Sequence, residues 1–280
     1  MIAPPFLNHD TFVNILFSRV ERATVTRALV IVNALVFVLL AAVSMSPMQI
    51  PADLLIRVGG NFAPLIQKGE EWRLFTALFL HGGLLHVALN MFALHQAGQV
   101  VERLFGRWGF AVIYIVAGLL GNLASLWWKP GPVSVGASGA IFGVYGALLS
   151  YLLLQRGSVP GEIFREMRSG TLGFIGYSLF AGFTIPGIDN AAHLGGLVGG
   201  LVLGAAFAEP IIAPRPVRWL APRALAGLLA AALLGAGLWQ TAPQVVRKFE
   251  IDSAYQQTVQ RFALEEQELI REQAALMEAL

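Results

Sequence analysis

Gly136-Ala137-Ser138-Gly139-Ala140-Ile141-Phe142-Gly143 and Ala192-His193-Leu194-Gly195-Gly196-Leu197-Val198-Gly199-Gly200 are the two stretches that decide how this chain folds. Each opens an apolar run, the first over Ala137 to Leu154 and the second over Ala191 to Ala208. In the first, small residues recur at Gly139, Gly143 and Gly146, with Ala140 and Ala147 alongside. In the second they follow His193 at Gly196, Gly200 and Gly204. Such stripes strip the side chains from one helix face and let two backbones approach closely. Packed on each other, they bring Ser138, at the head of one stripe, to His193, at the head of the other.

Outward from these lie five more apolar runs: Thr24 to Met45, Leu84 to Val101, Gly109 to Trp127, Gly170 to Ile185 and Ala221 to Trp239. A bilayer span needs roughly 20 mostly apolar residues. Gly170 to Ile185 is short and glycine-rich, and the topology keeps it in the count. Prolines and charges fall between the runs, where water satisfies the backbone. The expected fold is all-α, a polytopic transmembrane bundle of six core helices and a seventh, C-terminal span. The composition agrees. Of 280 residues 56% are hydrophobic and 13% charged, against about 25% charged in a soluble domain. A disordered chain, a nucleic-acid arm and an ordinary soluble enzyme are excluded. A net charge of +2 implies no polyanionic partner, and the lack of cysteine removes disulfides, Cys-ligated zinc and thiol catalysis.

Orientation follows from Lys and Arg in the loops. With the N-terminus cytoplasmic, the inner segments carry Arg19, Arg22 and Arg27, then Arg103 and Arg107, then Arg156, Arg165 and Arg168, then Arg215, Arg218 and Arg223. The outer loops carry Arg57, Lys68 and Arg73, then Lys129. Residues 1–23 hold no compact apolar stretch and read as a cytoplasmic segment without a cleaved signal.

Polar side chains in a span are costly and invite a functional reading. The second span opens His86-Val87-Ala88-Leu89-Asn90, whose four-residue spacing puts His86 and Asn90 on one helix face. His95, nine residues past His86, points elsewhere at ~100° per residue. Spans two, four and six run in the same direction, so the clusters at their heads fall in one layer near the outer face. A serine hydroxyl needs a base to take its proton, and a neutral histidine can do so. His86, Asn90 and the backbone N–H of Ser138 can then face an oxyanion. Asp189, four residues before His193, is open as an orienting group, though a Ser-His dyad is the simpler reading. Singly, each group has a plainer explanation: helix packing for the stripes and the serine, an interhelical hydrogen bond or proton path for the histidine. His9, His81 and His95 default to loop, interface and packing roles.

Gly136-Ala137-Ser138-Gly139 with Gly143, Ala192-His193 with Gly196 and Gly200, and His86-xxx-Asn90 resemble the signature of rhomboid intramembrane serine proteases. Glu71-Trp72-Arg73 and Glu102-Arg103-Leu104-Phe105-Gly106 support the resemblance, which covers about residues 60–209. It implies a six-helix core over 24–209 with a cavity open outward. It implies Ser138 as nucleophile and His193 as base, with His86, Asn90 and the Ser138 amide as the oxyanion site. Gly136, Gly139, Gly143, Gly196 and Gly200 would pack closely around them. Trp72 and Arg73 would lie in the loop-one insertion. Where the family often has a tyrosine packing on the histidine, Phe142 stands here. No cofactor or metal is implied.

The expected activity is endopeptidase cleavage of transmembrane segments near the outer face, through an acyl-enzyme. Partners are transmembrane substrates and the lipid bilayer, not nucleic acid, and the bilayer expected is a bacterial inner membrane. Lateral access is expected beside span five, where Phe174, Tyr177, Phe180 and Phe183 alternate with glycines. Residues 210–243 form the last inner loop and seventh span. Residues 244–280 form an external charged tail, with four basic and seven acidic residues (net −3) and an apolar repeat at Tyr255, Phe262, Leu269 and Leu276. The alternatives are an inactive rhomboid-like scaffold or a transporter; the latter calls for acids at span centres, and none stand there.

Overall fold

The computed structural model describes residues 8–128, 131–212, 221–242 and 271. The repeat expected in the tail lies outside the described residues. Ten α-helices are described: α1 His9–Arg19, α2 Thr24–Ser44, α3 Ala52–Arg57, α4 Ala63–Ile66, α5 Arg73–Thr76, α6 Leu84–Trp128, α7 Ser138–Leu154, α8 Gly161–Thr184, α9 Asn190–Phe207 and α10 Ala221–Ala242. Short 3₁₀ turns cover Ala77–Phe79 and Arg156–Ser158. Among the described residues the fold is all-helical, with one isolated bridge between Asn61 and Ser134. By length and composition α2, α6, α9 and α10 can cross a membrane, and α7 is a shorter apolar helix.

The second and third apolar runs lie on one helix, α6, of 45 residues. At about 1.5 Å per residue it is twice as long as a bilayer core is thick. It reverses at Gly106, whose φ of 75° and ψ of 166° are not helical. The reversal is visible in packing: the Phe110 ring lies 3.3 Å from where a Cβ on Gly98 would stand. The sequence reads a loop here, but glycine turns the chain within a single residue.

Glu102, just before that turn, is wholly buried. Its carboxylate accepts Val25 N–H at 3.0 Å, Thr26 N–H at 2.8 Å and the Thr26 hydroxyl at 2.7 Å. The two N–H groups are among the orphan donors of the α2 N-terminus, where a negative charge also suits the helix dipole. Arg103 beside it donates to Gln99 O and Glu21 O and lies over the Phe17 ring. Part of the N-terminal segment, α1, is also built into the bundle. Phe12 and Leu16, four apart on α1, are buried in the main core with Leu94, Val101 and Tyr151.

α7 is buried on nearly every side, as its all-round apolar character requires. α8 begins at Gly161, nine residues before the expected run, and its first turns carry Glu162, Arg165, Glu166 and Arg168. α10 starts against the end of α9, where Arg223 donates to Ala205 O at 2.8 Å and to Ala208 O. It ends with Ala242 among Ala63, Ile66 and Leu126.

Candidate active site

α7 and α9 meet backbone to backbone. A Cβ on Gly196 would fall onto the carbonyl oxygen of Gly139, one on Gly200 onto that of Gly143, and one on Gly204 onto Ala147. Glycine is required at these positions because no side chain fits. The same contact brings the head of α9 to the head of α7: a Cβ on Gly139 would stand 3.2 Å from Ala192 O.

Ser138 is the first residue of α7 and is partly exposed. At the first helical position its N–H has no intrahelical acceptor. His193, 6% exposed, sits one turn into α9. Its ring stacks face to face on Phe142, with centroids 4.2 Å apart and planes 11° apart. Phe142 is one turn along α7 from Ser138, so this stack holds the imidazole beside the helix that carries the serine. Nδ1 of His193 is buried without a partner. The hydrogen bond expected between Ser138 Oγ and the imidazole is not formed among the described residues. Phe174 of α8 continues the aromatic row, tilted on Phe142 at 5.5 Å and stacked on Tyr145 at 3.8 Å.

His86 approaches from α6. Its Nε2 lies 2.8 Å from the place a Cβ on Gly136 would take, two residues before Ser138. Gly136 has φ 132°, and its N–H donates to Ala77 O at 2.9 Å. Nδ1 of His86 accepts Gly82 N–H at 3.3 Å. Asn90 is buried and its amide donates back to His86 O at 2.8 Å. One of its two N–H donors is thus engaged within its own helix.

His81, assigned only a default role by sequence, is wholly buried and meets the His86 ring edge-on at 5.1 Å. Among the described residues neither of its nitrogens has a well-formed hydrogen bond, the Phe79 backbone being its nearest polar neighbour. Burial first and the neighbouring His86 second push its pKa down to about 3, so it stays neutral at physiological pH. Its spacing of five from His86 was the one signal available. His95 is exposed on the opposite side, and His9 lies beside Asp10 on α1.

In the loop-one region Arg73 is buried and pairs with Glu70, while donating to Ile56 O and Gly60 O. Trp72 is half exposed. Asp189 makes no hydrogen bond to the His193 ring. It caps α9 through Ala192 N–H at 3.0 Å and accepts the hydroxyls of Ser125 and Ser134. Among the described residues no group of three or more His, Cys, Asp or Glu has the arrangement of a metal site.

A family model described as the rhomboid domain matches residues 68–210, a segment that contains His86, Asn90, Ser138 and His193. The chain belongs to the rhomboid family. It is 41% identical over 158 residues to Rhomboid protease GluP of Bacillus subtilis (strain 168), covering 56% of this chain and 30% of that protein. It is 37% identical over 164 residues to RHOMBOID-like protein 1 of Arabidopsis thaliana, covering 58% of this chain and 41% of that protein. To Rhomboid-like protease 1 of Toxoplasma gondii it is 30% identical over 225 residues, covering 78% and 76%. The chain spans less than half the length of the first two of these rhomboid relatives. Rhomboid membership and the apolar helices together make this an integral, multi-pass membrane protein.

Proposed function

We propose that this rhomboid protein is an intramembrane serine endopeptidase that cuts transmembrane segments through a Ser138–His193 dyad. The observation that carries the reading is the Phe142–His193 stack, which holds an imidazole beside a partly exposed serine at a helix N-terminus. Ser138 Oγ attacks the scissile carbonyl while Nε2 of His193 takes its proton. Negative charge moves to the carbonyl oxygen, which faces the Ser138 N–H, His86 and the free N–H of Asn90. His193 returns the proton to the leaving amine, and water then hydrolyses the acyl-enzyme by the same steps. The serine–histidine hydrogen bond forms as substrate binds, since such bonds are commonly loose in the resting enzyme.

Hydrolysis needs water, so the heads of α6, α7 and α9 stand at the shallow, water-facing end. The arginine distribution supports that end as the outer one and the N-terminus as cytoplasmic; the bilayer we assign is a bacterial inner membrane. Residues 24–209 are the catalytic core, 210–243 an inner loop and seventh span, and 244–280 an external tail. Substrate enters beside α8, where Tyr177, Phe180 and Phe183 are exposed and Phe174 turns inward. Because peptide bonds in a helix are shielded, substrates with Gly, Pro or polar residues near their outer end are cut preferentially.

The test is cleavage of a single-span substrate by purified protein, with fluorophosphonate labelling alongside. Ser138→Ala is expected to abolish both and His193→Ala to abolish cleavage. A folded protein that neither cuts nor labels is the inactive scaffold.

A further inference from the structure

Asp189 takes no part in the chemistry above, yet its carboxylate is fully engaged. One oxygen caps α9 by accepting Ala192 N–H at 3.0 Å. The other accepts the hydroxyl of Ser125, near the end of α6, and that of Ser134 at 2.7 Å. Ser134 belongs to the segment that leads into α7. Its backbone exchanges both hydrogen bonds with Asn61, at 3.0 and 2.9 Å. Two residues later Gly136 N–H is held by Ala77 O. This segment is therefore fixed on one side by the residues preceding α6 and on the other by Asp189.

The glycine stripes set how closely α7 and α9 lie, but a smooth stripe resists sliding only weakly. Asp189 supplies the missing constraint at the site's end. It reaches within four residues of Ser138 through Ser134 and within one of His193 through Ala192. We propose that Asp189 is a positioning residue that ties the segment carrying Ser138 to the helix carrying His193. It does so through hydrogen bonds and not through its charge on the imidazole. The proposal rests on the proteolytic reading.

Hydrogen bonds to a carboxylate are among the stronger ones. Their loss would leave the buried Ser125 hydroxyl and the Ala192 N–H without partners. The test uses the full chain in detergent with a single-span substrate, measuring kcat, KM, fluorophosphonate labelling rate and Tm. Wild type and Ser138→Ala come first: no cleavage by wild type, or labelling that survives Ser138→Ala, sinks the proteolytic reading and this proposal with it. Asp189→Ala is then expected to lower kcat and labelling about tenfold or more, since an ångström at a reacting centre is worth ~100-fold. KM is expected to hold. Asp189→Asn keeps an oxygen for Ala192 N–H and an amide for the serine oxygens, so it should restore most of the rate. Ser134→Ala should lower kcat by itself and add nothing on top of Asp189→Ala.

Wild-type kcat in folded Asp189→Ala overturns the proposal. So does Asp189→Asn as slow as Asp189→Ala, which would assign the effect to charge, and so does a loss that appears only in Tm or KM. Should Asp189→Ala not fold, Ser134→Ala and Asp189→Asn decide: unchanged kcat in the first or a tenfold loss in the second overturns it.

Discussion

Gly136 answers to two constraints at once. Its φ of 132° lies where residues with a Cβ are strained, and a Cβ there would meet the His86 ring. Gly136→Ala is therefore expected to cost about 1–3 kcal/mol in backbone strain and to push His86 away from the Ser138 N–H. Fluorophosphonate labelling should fall more than Tm does; equal activity in a folded Gly136→Ala protein would argue against the assigned place of His86. Phe142 gives a second residue-level test. Its ring face, not a hydroxyl, meets His193, so Phe142→Tyr should keep activity and Phe142→Leu, similar in volume but without a flat face, should lower kcat. Comparable kcat for Leu and Phe would remove the stack from the account. Both residues stand out in the sequence because motif spacing is local. The Asp189 hydroxyl partners do not, since Ser125 and Ser134 are 64 and 55 residues away and nothing in a serine's surroundings along the chain announces them.

Among the elements, helix ends carry the information that periodicity lacks. The apolar runs and small-residue stripes gave α2, α7, α9 and α10 within a few residues, because span length and a four-residue repeat are written along the chain. The α6 reversal looks like a loop in the sequence, since helix-forming residues flank Gly106 on both sides and only its φ turns the chain. The docking of α1 is not legible in the sequence, because Phe12 and Leu16, its two buried residues, make too short a stripe to mark one face. α8 starts early because Pro160 precedes a turn of charged helix formers, Glu162, Arg165 and Glu166, that no apolar criterion selects. The Glu102 cap yields a prediction at this scale. Glu102→Ala leaves three donors at the α2 N-terminus without their acceptor and is expected to destabilise by about 1–3 kcal/mol, read as a lower Tm. Glu102→Gln, which keeps one acceptor, should lie between Ala and wild type.

For the whole molecule, His81 makes stability depend on pH. Its folded pKa, about 3, lies below the ordinary value of 6.5. Between these values the unfolded chain binds the extra proton, so stability rises with pH and falls on acidification from about 6.5 toward 3. One such group contributes a slope of at most about 1.4 kcal/mol per pH unit. Tm measured from pH 7 to pH 4 should drop less steeply in His81→Asn than in wild type; parallel curves would deny His81 this role. Removal of residues 244–280 should leave peptide-bond hydrolysis intact, because every group assigned to the chemistry lies within α6, α7 and α9 or the segments just before them. Loss of cleavage by a well-folded truncation would overturn that.

The path of α10 bears on how far the bundle can spread. Arg223 anchors its first turn to the far end of α9, and Ala242 comes to rest among Ala63, Ile66 and Leu126, on the same side as Ser125 and Asp189. The α2 N-terminus, capped by Glu102, is at the other end. Fastened at both of its ends, α10 straps the bundle lengthwise, so the two ends of the molecule cannot spread apart without tearing one of these attachments.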